Sequence, residues 1–143
     1  MPAAPGLAEA LLVILRWLHA LAAIGFLGWS AVLWLDGPGQ DPPVASQRFK
    51  EVTELSLVVF LATGAILSFD RLSHGAGGGY ATVLAVKVLS AVLAYQYAFV
   101  WRRRSLSAGL PEGRAVLLFG AAAVLLAAIL KEIFERALVR GDL

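Results

Sequence analysis

Four long apolar runs, separated by short polar, glycine-rich or proline-rich breaks, set the pattern of this chain. The first runs from Leu7 to Leu35. At 1.5 Å per residue it would measure about 43 Å as a helix, longer than a bilayer's hydrocarbon core, so it must tilt or protrude. The stretch Asp36-Gly37-Pro38-Gly39-Gln40-Asp41-Pro42-Pro43 stops it with strong breaker chemistry. Ser46 to Glu51 reads as a short polar connection. A second helix is predicted over 52–72, a third over 80–101 and a fourth over 114–138. A glycine-rich turn containing His74 joins the second to the third. The run Arg102-Arg103-Arg104 ends the third, and the fourth becomes charged after Leu130. Apolar runs of this length read as membrane spans rather than soluble core helices. The expectation is an all-α, polytopic membrane protein. Residues 1–143 form a single domain of four transmembrane helices in an antiparallel bundle.

Composition strengthens that reading. Hydrophobic residues make up 59% of the chain and charged residues 15%, against about 45–50% and 25% in soluble domains. Lipid must cover the excess apolar surface. The net charge of +2 is small, and its positive residues cluster in loops, which speaks for membrane topology and against nucleic acid as a partner. The absence of cysteine excludes disulfides, iron–sulfur clusters and thiolate metal sites within the chain. Met1 is the only methionine, which excludes a methionine-rich copper relay. The stretch before Leu7 lacks the basic residues of a signal peptide, so the first helix is read as retained.

Charge also orients the spans. Arg48, Lys50, Arg102, Arg103, Arg104 and Arg114 follow helices 1 and 3, whereas Arg71, Arg136 and Arg140 lie on the opposite side, with Lys131 near the interface. The basic excess places the first group inside and both termini outside. In a bacterium that is the inner (plasma) membrane, with the termini in the periplasm. Trp34 and Trp101 then fall at the inner boundary, as an aromatic belt does.

Within this frame His19 is the histidine that the pattern places inside the membrane. An ionisable group there is a functional hypothesis by default. Arg16 lies one turn outward of it, and Lys87 falls at a similar depth in the third helix. Asp70 and Arg71 end the second helix on that same side, and a cluster of Arg16, His19, Asp70 and Lys87 is expected there, with Glu132 of the fourth helix as a further candidate. Bland alternatives stay open: His19 hydrogen-bonding Thr63 or Ser90 to hold helices together, and Lys87 and Arg16 snorkelling to the interface. Gly25 and Gly28 share one side of helix 1 and are expected to admit a close helix neighbour, as are Gly64 and Gly120. His74 reads as a solvated loop residue or a surface ligand. A closed copper or zinc site wants three or four ligands, which two histidines without thiolates do not supply. A haem needs only one or two axial ligands and an apolar slot. His19 can supply one. The second could be Lys87, another subunit's His19 or nothing, and Lys87 could instead pair with a propionate or Asp70.

Three stretches together resemble one known domain. Leu18-His19-Ala20-Leu21 through Gly25-Phe26-Leu27-Gly28 resembles the "LH…WLGG" helix of the copper-resistance D (CopD) family, with Phe26 at its tryptophan and Trp29 at its second glycine. Arg48-Phe49 followed by Ala62-Thr63-Gly64 resembles that family's "RF…TG" helix, and Tyr80 through Val86-Lys87-Val88-Leu89 its "YG…LLLKL" helix. The order and spacing fit from Arg16 to Arg104. The resemblance implies a polytopic membrane protein handling copper or haem b, with His19 as metal ligand and His19 and Lys87 as cofactor-binding residues. The chain is also similar in outline to HemJ, a four-helix membrane protoporphyrinogen oxidase that binds haem and uses a first-helix histidine and a third-helix lysine. That likeness implies an oxidoreductase. A third alternative is a structural subunit, packed as a homo-oligomer or within a larger membrane complex.

Overall fold

The structure, a computed structural model, describes residues 6–73, 75 and 78–140. Four helices follow one another: α1 (Leu7–Asp36), α2 (Pro42–Ser73), α3 (Gly78–Arg103) and α4 (Pro111–Arg140). All four are long and apolar enough to cross a membrane, with peak mean hydropathies of 1.8 to 2.2. No strand occurs among the described residues. His74 lies outside them.

The spans match the apolar runs, and the helix starts differ for local reasons. α2 begins at Pro42, well before the expected Val52. Asp41 caps it: its Oδ1 accepts the Val44 N–H at 3.3 Å, and its carbonyl accepts the Ala45 N–H at 3.0 Å. Pro42 at the first helical position needs no donor partner. The extra turns are polar, so an apolar run cannot reveal them. α4 begins at Pro111 for the same reason, with Glu112 in its first turn against the positive helix end.

α1 packs against α2 and α4, and α3 packs most extensively against α4. The α2 and α3 backbones approach least and no backbone approach crosses the diagonals among the described residues, so side chains such as Tyr95, which reaches Phe26 and Ser56, bridge the interior. The cross-section is therefore a square with one loosely closed side.

Packing is uneven along the bundle as well. The end that carries the α1–α2 and α3–α4 connections, the two-loop end, is dense. Trp101, Leu106 and Val116 are fully buried there and Phe49 is 1% exposed. The Trp101 ring meets Phe49 edge-on at 5.6 Å and its Nε1 donates to the Ser107 carbonyl at 3.1 Å. α3 ends in a Schellman motif, in which Leu106 N–H returns to the Trp101 carbonyl and Ser105 N–H to the Arg102 carbonyl. Ser105 and Leu106 both sit at positive φ, 61° and 52°. At the opposite, termini end, the first turns of α1 are largely uncovered: Leu7 is 81% exposed and Trp17 66%. Burial cannot drive packing where lipid is as apolar as leucine, so shape and polar satisfaction decide it. Ser30, Thr53 and Ser90 accordingly donate back to carbonyls on their own helices.

The glycine expectation is half overturned. Gly25 and Gly28 are exposed, and a Cβ on either would meet nothing within 4 Å. The buried side of α1 carries Phe26, Ser30 and Leu33, and the two glycines point away from it. The close approaches are on α4. A Cβ on Gly120 would collide with the Leu27 side chain. One on Gly113 would lie 2.7 Å from Trp34 and 2.9 Å from Trp101.

Candidate intramembrane site

His19 belongs to the buried side of α1, one heptad from Phe26, and so faces the bundle. α2 meets it with Phe60, Thr63 and Gly64, whose i, i+3, i+4 spacing puts them on one helix face. The imidazole Nδ1 lies 2.7 Å from Thr63 Oγ1. The Phe60 ring stands edge-on to it at 4.6 Å and 80°. A Cβ on Gly64 would touch His19 Cε1 at 3.6 Å, so the missing side chain lets the ring lie against α2. Of the two hydroxyls that the sequence offered as partners, Thr63 is the one used. Ser90 is turned back to the Val86 carbonyl at 2.9 Å.

An aromatic floor continues toward the two-loop end. Phe60 meets Tyr95 at 6.1 Å, and Tyr95 stacks on Phe26 at 4.7 Å with the rings 21° apart. Tyr95 donates its hydroxyl proton to Ser56 Oγ at 2.9 Å, which satisfies the phenol inside the bundle. Sequence reasoning missed Phe60 and Tyr95. The signal was Phe60-x-x-Thr63-Gly64, three residues on the face of α2 that α1 covers.

Toward the termini end the site is cationic. Lys87 is half-buried on α3 and lies within electrostatic range of both His19 and Arg71. It makes no ion pair or hydrogen bond with the described residues. The Arg71 guanidinium sits over the Phe134 ring at 4.6 Å, and Phe134 leans on Tyr80 at 6.4 Å. Lys87 is thus the residue that lies within electrostatic range of both His19 and Arg71, with no hydrogen bond or ion pair joining the three among the described residues.

The wider predicted cluster does not assemble. Glu132 pairs with Arg136 at 2.8 Å on an exposed face of α4, because its position in the helix points it outward. Arg16 is exposed. Asp70 is engaged in an interaction of its own and forms no ion pair with Lys87. Positive charge near His19 is therefore not balanced by a carboxylate bonded to Lys87.

The arrangement bounds the chemistry. Among the described residues no group of three or more histidine, cysteine, aspartate or glutamate side chains could hold a metal ion. A self-contained copper site is not supplied, since His19 brings one nitrogen where copper wants three or four ligands. The site therefore offers one imidazole, apolar and aromatic neighbours in Phe60 and Tyr95, and a lysine on the facing helix. No protein-family model matches this chain, and neither a curated protein nor a solved structure matches it.

Proposed function

We propose that this chain is a CopD-like integral membrane protein that holds haem b at His19, in a bilayer with both termini outside. The observation that carries the reading is the setting of His19. Thr63 and Phe60 fix the imidazole, while Lys87 lies within electrostatic range of it and has no carboxylate partner among the described residues. An intramembrane cation with no ion-pair partner among the described residues calls for an anionic group, and haem propionates would supply two. His19 would hold the iron, Phe60 and Tyr95 would lie against the apolar body of the group, and Lys87 with Arg71 would receive the propionates. Bound haem supplies one-electron redox chemistry there, as in the HemJ-like alternative of a membrane oxidoreductase. Copper alone fits less well because His19 stands without further ligands.

An optical spectrum of the protein purified from its own membranes tests this. A Soret band that vanishes in His19→Ala and weakens in Lys87→Ala is the expected result. Copper by metal analysis, without a Soret band, would replace haem by the metal ion. Wild-type protein with neither would refute the cofactor reading. A second reading then takes over, favoured by the Thr63 hydrogen bond itself. His19 would be an interhelical pin in a structural subunit, and His19→Ala would lower thermal stability in detergent by about 1 kcal/mol.

A further inference from the structure

We infer that Thr63 is a positioning residue: it fixes the His19 tautomer and leaves Nε2 as the nitrogen that binds. The inference rests on the haem reading for its purpose, though not for its geometry. A threonine hydroxyl has one proton to give. Thr63 Oγ1 lies 2.6 Å from the Val59 carbonyl one turn back on α2 and 2.7 Å from His19 Nδ1. Both contacts are hydrogen bonds in length. The carbonyl can only accept, so the Thr63 proton points to Val59. The same hydroxyl then accepts from His19, and the proton of the neutral ring sits on Nδ1.

The reverse arrangement is worse in two ways. It turns the Thr63 proton away from a carbonyl that the helical rotamer already faces. It also moves the ring proton to Nε2, which has no hydrogen-bond partner among the described residues and would be an orphaned donor inside the membrane. Orphaned donors are rarer and costlier than under-used acceptors. With the proton on Nδ1, Nε2 presents a bare lone pair, the state an imidazole needs to ligate a metal. Nε2 is not among the fully enclosed unpaired atoms of the chain. The Val59 carbonyl, the Thr63 hydroxyl and the ring thus form a relay that orients the ligand from behind, as outer partners of metal-bound histidines do. Phe60 and Gly64 hold the ring plane so that the relay stays in register.

The chain has two histidines, so His74→Gln leaves His19 as the only imidazole signal. Nitrogen-15 NMR of the ring-labelled, cofactor-free His74→Gln protein in detergent at alkaline pH reads the tautomer directly. A proton-bearing Nδ1 and a bare Nε2 are expected. Thr63→Val should mix or reverse the two tautomers, and Thr63→Ser should restore the wild-type pattern. A proton on Nε2 in the parent protein, or a pattern indifferent to Thr63→Val, overturns the inference. A second arm adds haem to the same variants. Thr63→Val should bind roughly 10- to 100-fold more weakly, with Thr63→Ser near wild type. Failure of every variant to bind haem would refute the proposed function and leave the tautomer result standing. Full-strength binding by Thr63→Val would refute the positioning role.

Discussion

Two glycine-to-alanine substitutions should move stability in opposite directions. Gly113 is buried in the first turn of α4, and its Cβ position lies 2.7 Å from Trp34 Cδ1 and 2.9 Å from the Trp101 ring. Neither ring can swing away cheaply. Trp101 is fully buried and tied through Nε1 to the Ser107 carbonyl at 3.1 Å. The Trp34 carbonyl accepts the Gly109 N–H at 3.0 Å, which anchors the end of α1 to the α3–α4 connection. Overpacking a rigid site costs about 1–3 kcal/mol. Alanine's helix advantage over glycine, at most about 1 kcal/mol in a helix interior, counts for less in a first turn. Gly113→Ala should therefore destabilise by about 1–2 kcal/mol. Gly28→Ala keeps the propensity gain and adds no clash, because nothing lies within 4 Å of its Cβ position. It should be neutral or stabilising by up to about 1 kcal/mol. Reversible unfolding in mixed micelles, followed by circular dichroism, compares both with wild type. Equal effects from the two substitutions would mean that the close approach of Trp34 of α1 and Trp101 of α3 to Gly113 is wrong.

Other substitutions test separate features. Ser105→Gly should raise stability by about 1 kcal/mol, since Ser105 holds φ at 61°, a conformation that penalises a Cβ; a loss on the same unfolding assay would contradict the Schellman ending of α3. Leu106→Ala should cost about 2–5 kcal/mol, because the side chain is fully buried beneath that turn; a neutral result would place Leu106 at the surface. Tyr95→Phe removes the hydrogen bond to Ser56 and should cost about 0.5–1.5 kcal/mol, read as a lower Tm in detergent. A reporter that is active only in the cytoplasm, fused after Leu143, should stay silent if both termini are outside, and activity there would reverse the orientation.

The spans were legible because a membrane leaves few options. Runs such as Leu7–Leu35 must satisfy their own backbone, and a helix is the way a single segment does so. The polar turns at the start of α2 were not legible from hydropathy. They depend on one carboxylate, that of Asp41, and on the proline after it. The glycines divided for a related reason. Spacing shows that Gly25 and Gly28 share a side of α1, but in a helix apolar all round no pattern says which side meets a neighbour. Gly113 went unnoticed because it lies in the first turn of a helix that was expected to start after it. At the site, depth alone made His19 and Lys87 comparable and two hydroxyls available. Choosing Thr63 over Ser90 took the rotation of α2 and α3 about their own axes, which hydropathy does not encode.

The depth of the site follows from contacts between helices and changes how His19 should be read. Leu27 of α1 stands level with Gly120 of α4, where a Cβ would collide with it. Counting about 16 Å from that level toward the termini end, at 1.5 Å per residue, reaches Arg16 on α1 and Lys131 on α4 alike. Counting the other way reaches Arg114 after about 9 Å. The two basic layers are therefore about 25 Å apart along α4, close to the roughly 30 Å of a hydrocarbon core, with flexible side chains spanning the difference. His19 lies one turn inside the layer marked by Arg16 and Lys131. Lys87 reaches the same depth when counted from Tyr95, which stacks on Phe26. The pair sits just beneath one surface rather than at the bilayer centre, where the cost of an ionisable group is highest. Their expense alone is thus a weaker argument for function than it is for a group at mid-membrane. What remains is arrangement: an imidazole held by Thr63 against α2, and a lysine with no carboxylate bonded to it among the described residues. On the proposed reading, the anionic edge of the bound group would lie at the cationic layer and its apolar body deeper in the bundle.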